Sequence, residues 1–290
     1  MILDCRFANV CCRFDATASL YCLQTLSCLS PFQLPLSAAK SNLSCLYFKL
    51  DVPVRRPLAE PLHSFEYSDA GCKCEFFVDG GSYFFCMTNV IDETHICLRY
   101  DGANTVECST LIDPFFSRFA IWFAVSMFLV NHNASFIHAS AVVCEQGAVL
   151  CLGESGTGKS THTQLWLRNV PNTFLLNDDS PIISALGSSP LACGSPWSGK
   201  TPCYRPEQVP ILAFVRLRQA PYNKMTRLSV AQSFAAIYPS LPPALAFDEH
   251  FASLFASIIS RCLLSTPCFL LECRPDADAA FLCHDTILPQ

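Results

Sequence analysis

An eight-residue run, Gly153-Glu154-Ser155-Gly156-Thr157-Gly158-Lys159-Ser160, matches the phosphate-binding pattern GxxxxGK[ST] in full. The pattern constrains the fold because it works only as a turn between a buried strand and a helix. Its glycines let the backbone turn tightly and bring N–H groups close to phosphate oxygens. The helix that follows presents unpaired N–H groups and the positive end of its dipole to an anion. Lys159 offers a mobile positive charge for the outer phosphates, and Ser160 offers a hydroxyl ligand for Mg²⁺. The flanks fit this requirement. Upstream, Gly147-Ala148-Val149-Leu150-Cys151-Leu152 reads as a short buried strand. Downstream, Thr161 to Arg168 has helical character, with Leu165 and Trp166 available for packing. A plain glycine-rich turn is the alternative, and it would need neither flank. The motif therefore predicts a site for ATP with Mg²⁺.

Composition sets the surroundings of that site. The chain has 290 residues, of which 51% are hydrophobic and only 15% charged, so a compact fold with little disorder is expected. The net charge of −5 provides no basic field for nucleic acid. Positive charge at an ATP site must then come from a few local residues such as Lys159. The 19 cysteines are many and odd in number, and several (Cys11, Cys12, Cys144, Cys151, Cys262) sit in apolar stretches. There they read as small, reduced, buried hydrophobes. Cys72-Lys73-Cys74 is too little to define a zinc site, and no CxxC pair occurs. The first residues lack a basic segment followed by a long apolar one, so the expectation is a reducing cytoplasm. Phe115 to Val130 is strongly apolar, yet it is shorter than the roughly 20 residues of a membrane span and is interrupted by Arg118. It reads as a buried amphipathic helix.

Residues 1–110 form a β-rich module by texture, with short aromatic segments at 74–78, 82–86 and 96–100. Asp79-Gly80-Gly81 between the first two predicts a hairpin. A helix over 113–132 leads into one strand over 135–143 and then the strand, loop and helix of the motif. Further strands are expected at 211–215 and 268–271, a helix at 251–264, and a short strand ending in Asn177-Asp178-Asp179.

Three features could converge on a phosphate held by residues 153–160. Asp178 and Asp179 could divide two tasks, holding Mg²⁺ and taking a proton from an attacking hydroxyl, or could simply shape an Asx turn. His138, fifteen positions before Gly153, is either a satisfied core histidine or a neighbour of the loop on an adjacent strand. Gly194 to Lys200 is a probe of the same kind: Lys200 is either a second cation for phosphate or a solvated loop lysine, with Arg205 and Arg227 weaker candidates.

The ordered set of His138, the loop 153–160 and Asn177-Asp178-Asp179 resembles the HPr kinase/phosphorylase family, related to ATP-dependent phosphoenolpyruvate carboxykinase. The resemblance spans about residues 110–285 and includes Pro267 to Pro275. It implies an α/β fold, in which a phosphate-loop nucleotide domain of the HPr kinase/carboxykinase type fills 111–290 behind the β-rich module. It also implies transfer of phosphate from ATP to a serine of a protein or peptide, in an oligomer. By that resemblance Asp179 is the proton acceptor, and Asp178 its neighbour near the metal with Ser160. Lys159 and His138 are active-site residues, while Thr161 stands where HPr kinases carry Glu. A small-acid phosphotransferase and a non-catalytic ATP sensor are the alternatives. No membrane or nucleic-acid partner is expected.

Overall fold

A computed structural model of the chain describes residues 2–35, 43–67, 71–199 and 201–288. These form a mixed α/β structure of two compact units, Met1–His132 with Ala244–Phe251, and Asn133–Pro243 with Ala252–Gln290.

The first unit is built on eight strands among its described residues: β1 (Ile2–Phe7), β2 (Val10–Asp15), β3 (Ser44–Lys49), β4 (His63–Tyr67), β5 (Cys72–Asp79), β6 (Ser82–Asn89), β7 (His95–Tyr100) and β8 (Thr105–Cys108). They lie in the order β1-β2-β3-β8-β7-β6-β5-β4. β5 and β6 form the expected hairpin, with Asp79 opposite Ser82 across Gly80-Gly81. Helix α1 (Leu20–Thr25) and helix α2 (Pro114–Asn131) complete this unit. Asp113 caps α2, its carboxylate accepting from the Phe116 amide, and Pro114 occupies the first turn, where no amide is needed. The helix was expected to lead the C-terminal domain, but it packs on β6 and β7, with the Phe123 and Phe85 rings stacked at 3.9 Å. By length and composition α2 could cross a membrane, yet most of it is buried within the fold.

The cysteines follow the expectation with one correction. Fifteen of the 17 unpaired thiols are buried, and burial pushes those of Cys5, Cys151 and Cys262 up to about 12. Cys86 and Cys97 are instead joined in a disulfide, because the β6–β7 register sets them directly opposite each other.

The second unit carries β9 (Ala134–Phe136), β10 (Ala139–Cys144), β11 (Gly147–Leu152), β12 (Phe174–Asn177), β13 (Ile182–Ser184), β14 (Leu191–Cys193), β15 (Gln208–Gln219), β16 (Lys224–Arg227) and β17 (Cys268–Cys273). The order is β12-β10-β11-β15-β14-β13-β9, with β17 pairing to both β15 and β16. The helices are α3 (Lys159–Asn169), α4 (Val230–Ile237), α5 (Glu249–Leu263, in this unit from Ala252 onward) and α6 (Ala277–Ile287). α3 and α6 cover one sheet face, where Val142, Val149, Cys151, Val215 and Leu271 pack under Trp166 and Cys283. The alternate residues Ala141, Leu150, Leu152 and Phe214 are also fully buried. Both faces of the central strands are thus covered, which is why β11 reads as an unbroken apolar run rather than an alternating one.

The strand expected over 135–143 is two strands. Ile137 and His138 leave the ladder, their amides donating to the carbonyls of Pro181 (3.0 Å) and Ser240 (2.6 Å).

One acid-side prediction follows from the first unit. Glu75 is buried and accepts from Arg56 (2.8 and 3.0 Å) and Lys73 (2.8 Å), and these cations hold its carboxyl down from 4.5 to about 2. The unfolded chain therefore binds this proton at a higher pH than the native one. The contribution is complete above pH 4.5 and is lost as pH falls toward about 2. With both cations half-exposed, it should amount to about 1–2 kcal/mol. Glu75→Gln should remove this part of the acid dependence in urea titrations run from pH 7 to pH 2.

Candidate functional site

Strand pairing brings the separate sequence features together. The β10–β11 hairpin aligns Ala139 with Leu152, so the next residues outward, His138 and Gly153, are neighbours at one edge of the sheet. On the other side of β10, Ala141 pairs with Asn177, and the Ala139 amide donates to the Asp179 carbonyl at 3.0 Å. β11 runs parallel to β15 with Leu152 opposite Arg216. Four chain segments thus deliver His138, the glycine loop, Asp179 and Arg216 to the same edge.

The loop itself runs from β11 into α3. Gly153 sits at φ +156°, and a Cβ there would lie 2.3 Å from Thr157 Oγ1. That hydroxyl needs the space because it donates to the Glu154 carbonyl at 2.8 Å and closes the turn. Lys159 folds back over the turn, its ammonium donating to the carbonyls of Gly153 (2.8 Å) and Glu154 (3.2 Å). Arg216 reaches Glu154 Oε1 at 2.7 Å, and Gln219 Nε2 donates to the Gly156 carbonyl at 3.1 Å. Ser155, Ser160 and Thr161 are exposed, and Gly158 caps α3.

The two aspartates occupy different environments. Asp178 is buried and accepts from Ser140 Oγ at 2.9 Å. Ser140, whose one proton goes to Asp178, accepts in turn from Thr163 Oγ1 at 2.9 Å, and the Lys159 and Ser160 carbonyls, 3.3 and 3.1 Å from that hydroxyl, are the alternative acceptors of its one proton. Asp178 is thereby tied to the first turn of α3 through two hydroxyls. Asp179 is half-exposed, with Oδ1 3.6 Å from His138 Nε2, too long for a hydrogen bond but close for two groups sharing an opening. Asn177 supports both: its Oδ1 accepts from the amides of Asp179 (2.9 Å) and Ser180 (2.8 Å), an Asx turn at the strand end. Its Nδ2 donates to the carbonyls of Ser195 and Trp197. That bond docks the 194–199 loop, so that Gly199 lies against Asp179, where a Cβ would come within 3.2 Å of Asp179 Cβ.

The charges act on one another. Partial burial and the Lys159 charge lower the His138 pKa, outweighing Asp179 and Glu154, so its ring is neutral at pH 7. Burial lowers the Lys159 pKa, while Asp179, Glu154 and Asp178 oppose that shift. Among the described residues, two cations (Lys159, Arg216) thus face three carboxylates. A polyphosphate at this edge would meet three negative side chains, a repulsion that a divalent cation would offset. Asp178 and the Ser160 hydroxyl fit Mg²⁺, which takes one or two protein oxygens and leaves its other positions to phosphate and water. No cluster of three metal-binding side chains occurs among the described residues.

Of the remaining candidates, Lys200 lies outside the described residues. Arg205 is engaged over the Phe174 ring and beside Glu207, while Arg227 is exposed on β16. Sequence reasoning missed Arg216, Ser140 and Thr163. None stands in a motif, and only strand register reveals their places. Set beside known proteins, the chain matches no protein-family model and no curated sequence.

Ser140→Ala removes the donor to a buried carboxylate. It should destabilise the chain by about 1–3 kcal/mol in urea unfolding, more than Ser155→Ala on the exposed loop; equal effects would show that the hydroxyl relay carries no weight.

Proposed function

We propose that the chain is an ATP-dependent serine kinase of the HPr kinase-like type, transferring the γ-phosphoryl group to a serine of a protein or peptide. The observation that carries this reading is the convergence of a half-exposed carboxylate, Asp179, with the glycine loop and a neutral histidine at one sheet edge.

The roles follow from the environments. The loop amides and the first turn of α3 favour a phosphate chain. Lys159, now satisfied by two loop carbonyls, exchanges them for phosphate oxygens, so its charge is delivered only when ligand arrives. Ser160 and Asp178 would hold Mg²⁺, which would supply charge neutralisation on the phosphates. Asp179 is accessible and accepts the proton of the serine hydroxyl; His138, neutral, orients that carboxylate or the hydroxyl. Arg216 restrains Glu154 so that its carboxylate is not left to repel the phosphates. Transfer of this kind needs mainly positioning and electrostatics, which these residues provide.

Asp179→Asn keeps the shape and removes the base. Phosphate transfer to serine peptides, followed with γ-labelled ATP, should fall by about 10²–10⁴-fold, while calorimetric ATP affinity stays within about threefold. Unchanged turnover would remove the assignment.

A further inference from the structure

Two of the unpaired thiols are not buried, those of Cys45 and Cys273. Cys45 lies on β3, in the first unit, where alternation turns Cys45, Tyr47 and Lys49 outward and Leu46 and Phe48 into the core. β3 runs parallel to β2, and the register sets Cys11 directly opposite Cys45. Register partners project to the same face, so the two side chains stand side by side. Neighbouring strands lie about 4.8 Å apart, within the roughly 4.4–6.8 Å between Cα atoms that a disulfide spans. The two sulfurs already hydrogen-bond each other. Cys86 and Cys97, opposed in the same way within this sheet, are bonded.

Among the described residues one other pair of free thiols is directly opposed, Cys5 and Cys12 across β1 and β2. These occupy the core face, fully buried, and burial raises the pKa of both. Cys11 and Cys12 are chain neighbours, yet alternation gives Cys12 to the core and Cys11 to the face that Cys45 shares. Cys11 is itself nearly covered, while Cys45 is half-buried and open to a small reagent. On this face Arg6 stands opposite Cys11, and Arg13 holds Asp4 through two bonds of 2.8 and 2.9 Å. The hydrogen bond from Cys11 lowers the Cys45 pKa, helped by the Arg13 charge and by Tyr47 and opposed by burial and Asp4. The same bond raises the pKa of Cys11. Cys45 is therefore the thiol that ionises, and Cys11 the one that keeps its proton.

We propose that Cys45 is a modification site for low-molecular-weight disulfides such as oxidised glutathione, with Cys11 as the resolving thiol. The Cys45 thiolate attacks one sulfur of the reagent, forming a mixed disulfide and releasing a thiolate. Cys11 gives its proton to that thiolate and attacks the Cys45 sulfur. The Cys11–Cys45 bond forms, and the second thiolate leaves. The chain loses two electrons and the reagent gains them, ending as one thiol and one thiolate. The new bond fixes the β1–β2 hairpin to β3 across the long connection that contains α1. Closing so long a loop narrows the unfolded ensemble and stabilises the fold.

The test places the full chain in a glutathione redox buffer, then applies acid quenching, alkylation in denaturant and peptide mass mapping. As the buffer becomes oxidising, tryptic peptides 7–13 and 41–49 should become linked with loss of two hydrogens. Excess reduced glutathione should separate them again. In Cys11→Ser, Cys45 should keep glutathione as a mixed disulfide and no link should form, which distinguishes Cys11 from Cys12. In Cys45→Ser, peptide 7–13 should stay reduced. Linking should raise the urea midpoint of the wild-type chain, and the same buffers should leave that of Cys45→Ser unmoved. Iodoacetamide at neutral pH should label Cys45 of the native chain about tenfold faster than Cys273. Peptides that stay unlinked in the most oxidising buffer, equal labelling of the two thiols, or a link that persists in Cys11→Ser each overturn the proposal. A link that reduced glutathione leaves intact makes the bond structural and overturns it too. Should Cys11→Ser fail to fold, fragment ions of the linked wild-type peptides place the bond on Cys11 or on Cys12 and decide the question.

Discussion

Strand β10 pairs with β11 on one side and β12 on the other, and the site exists because of those two registers. Side-chain period in a strand is two, so a slip of one residue would exchange the side chains packed on the two faces of the strand. With both faces of β10 buried, such a slip is strongly opposed. The register therefore holds His138 beside Gly153 and the Asp179 backbone beside Ala139 as firmly as the core itself is held. Positional precision at the edge is borrowed from packing in the middle of the sheet.

The same arrangement explains how two adjacent aspartates acquire separate environments. Alternation at the end of β12 sends Asp178 inward, where the Ser140 and Thr163 hydroxyls meet it, and leaves Asp179 at the opening beside His138. A buried carboxylate needs partners of this kind, and here they connect it to the first turn of α3. The exposed one stays accessible at the opening. Gly199 and the Asn177 side chain then close around the pair, so a loop far along the chain limits where Asp179 can stand.

Some of this was legible beforehand for clear reasons. The glycine loop, the hairpin at Gly80-Gly81 and the Asp pair are local features, each specified by a few neighbouring residues. The break between β9 and β10 was not legible, because Ser135 to Val143 carries no glycine, proline, asparagine or aspartate that would mark a turn. Only bonds to Pro181 and Ser240, distant in sequence, draw Ile137 and His138 out of the ladder. The Cys86–Cys97 bond was hidden likewise, since nothing local shows which cysteines a register will oppose. Arg216 lies in an ordinary strand sequence, and parallel pairing with β11 gives it its place.

By itself the sequence determined the local pattern: a glycine-rich turn between a strand and a helix, a lysine and a hydroxyl at its end, and carboxylates after a strand. Those depend on residue type and spacing over a few positions, which the chain carries wherever it folds. The tertiary structure decided which of these groups meet and which aspartate is buried. Those outcomes depend on pairings between segments tens of residues apart, and such pairings are selected by burial of the whole sheet rather than by any short stretch of it.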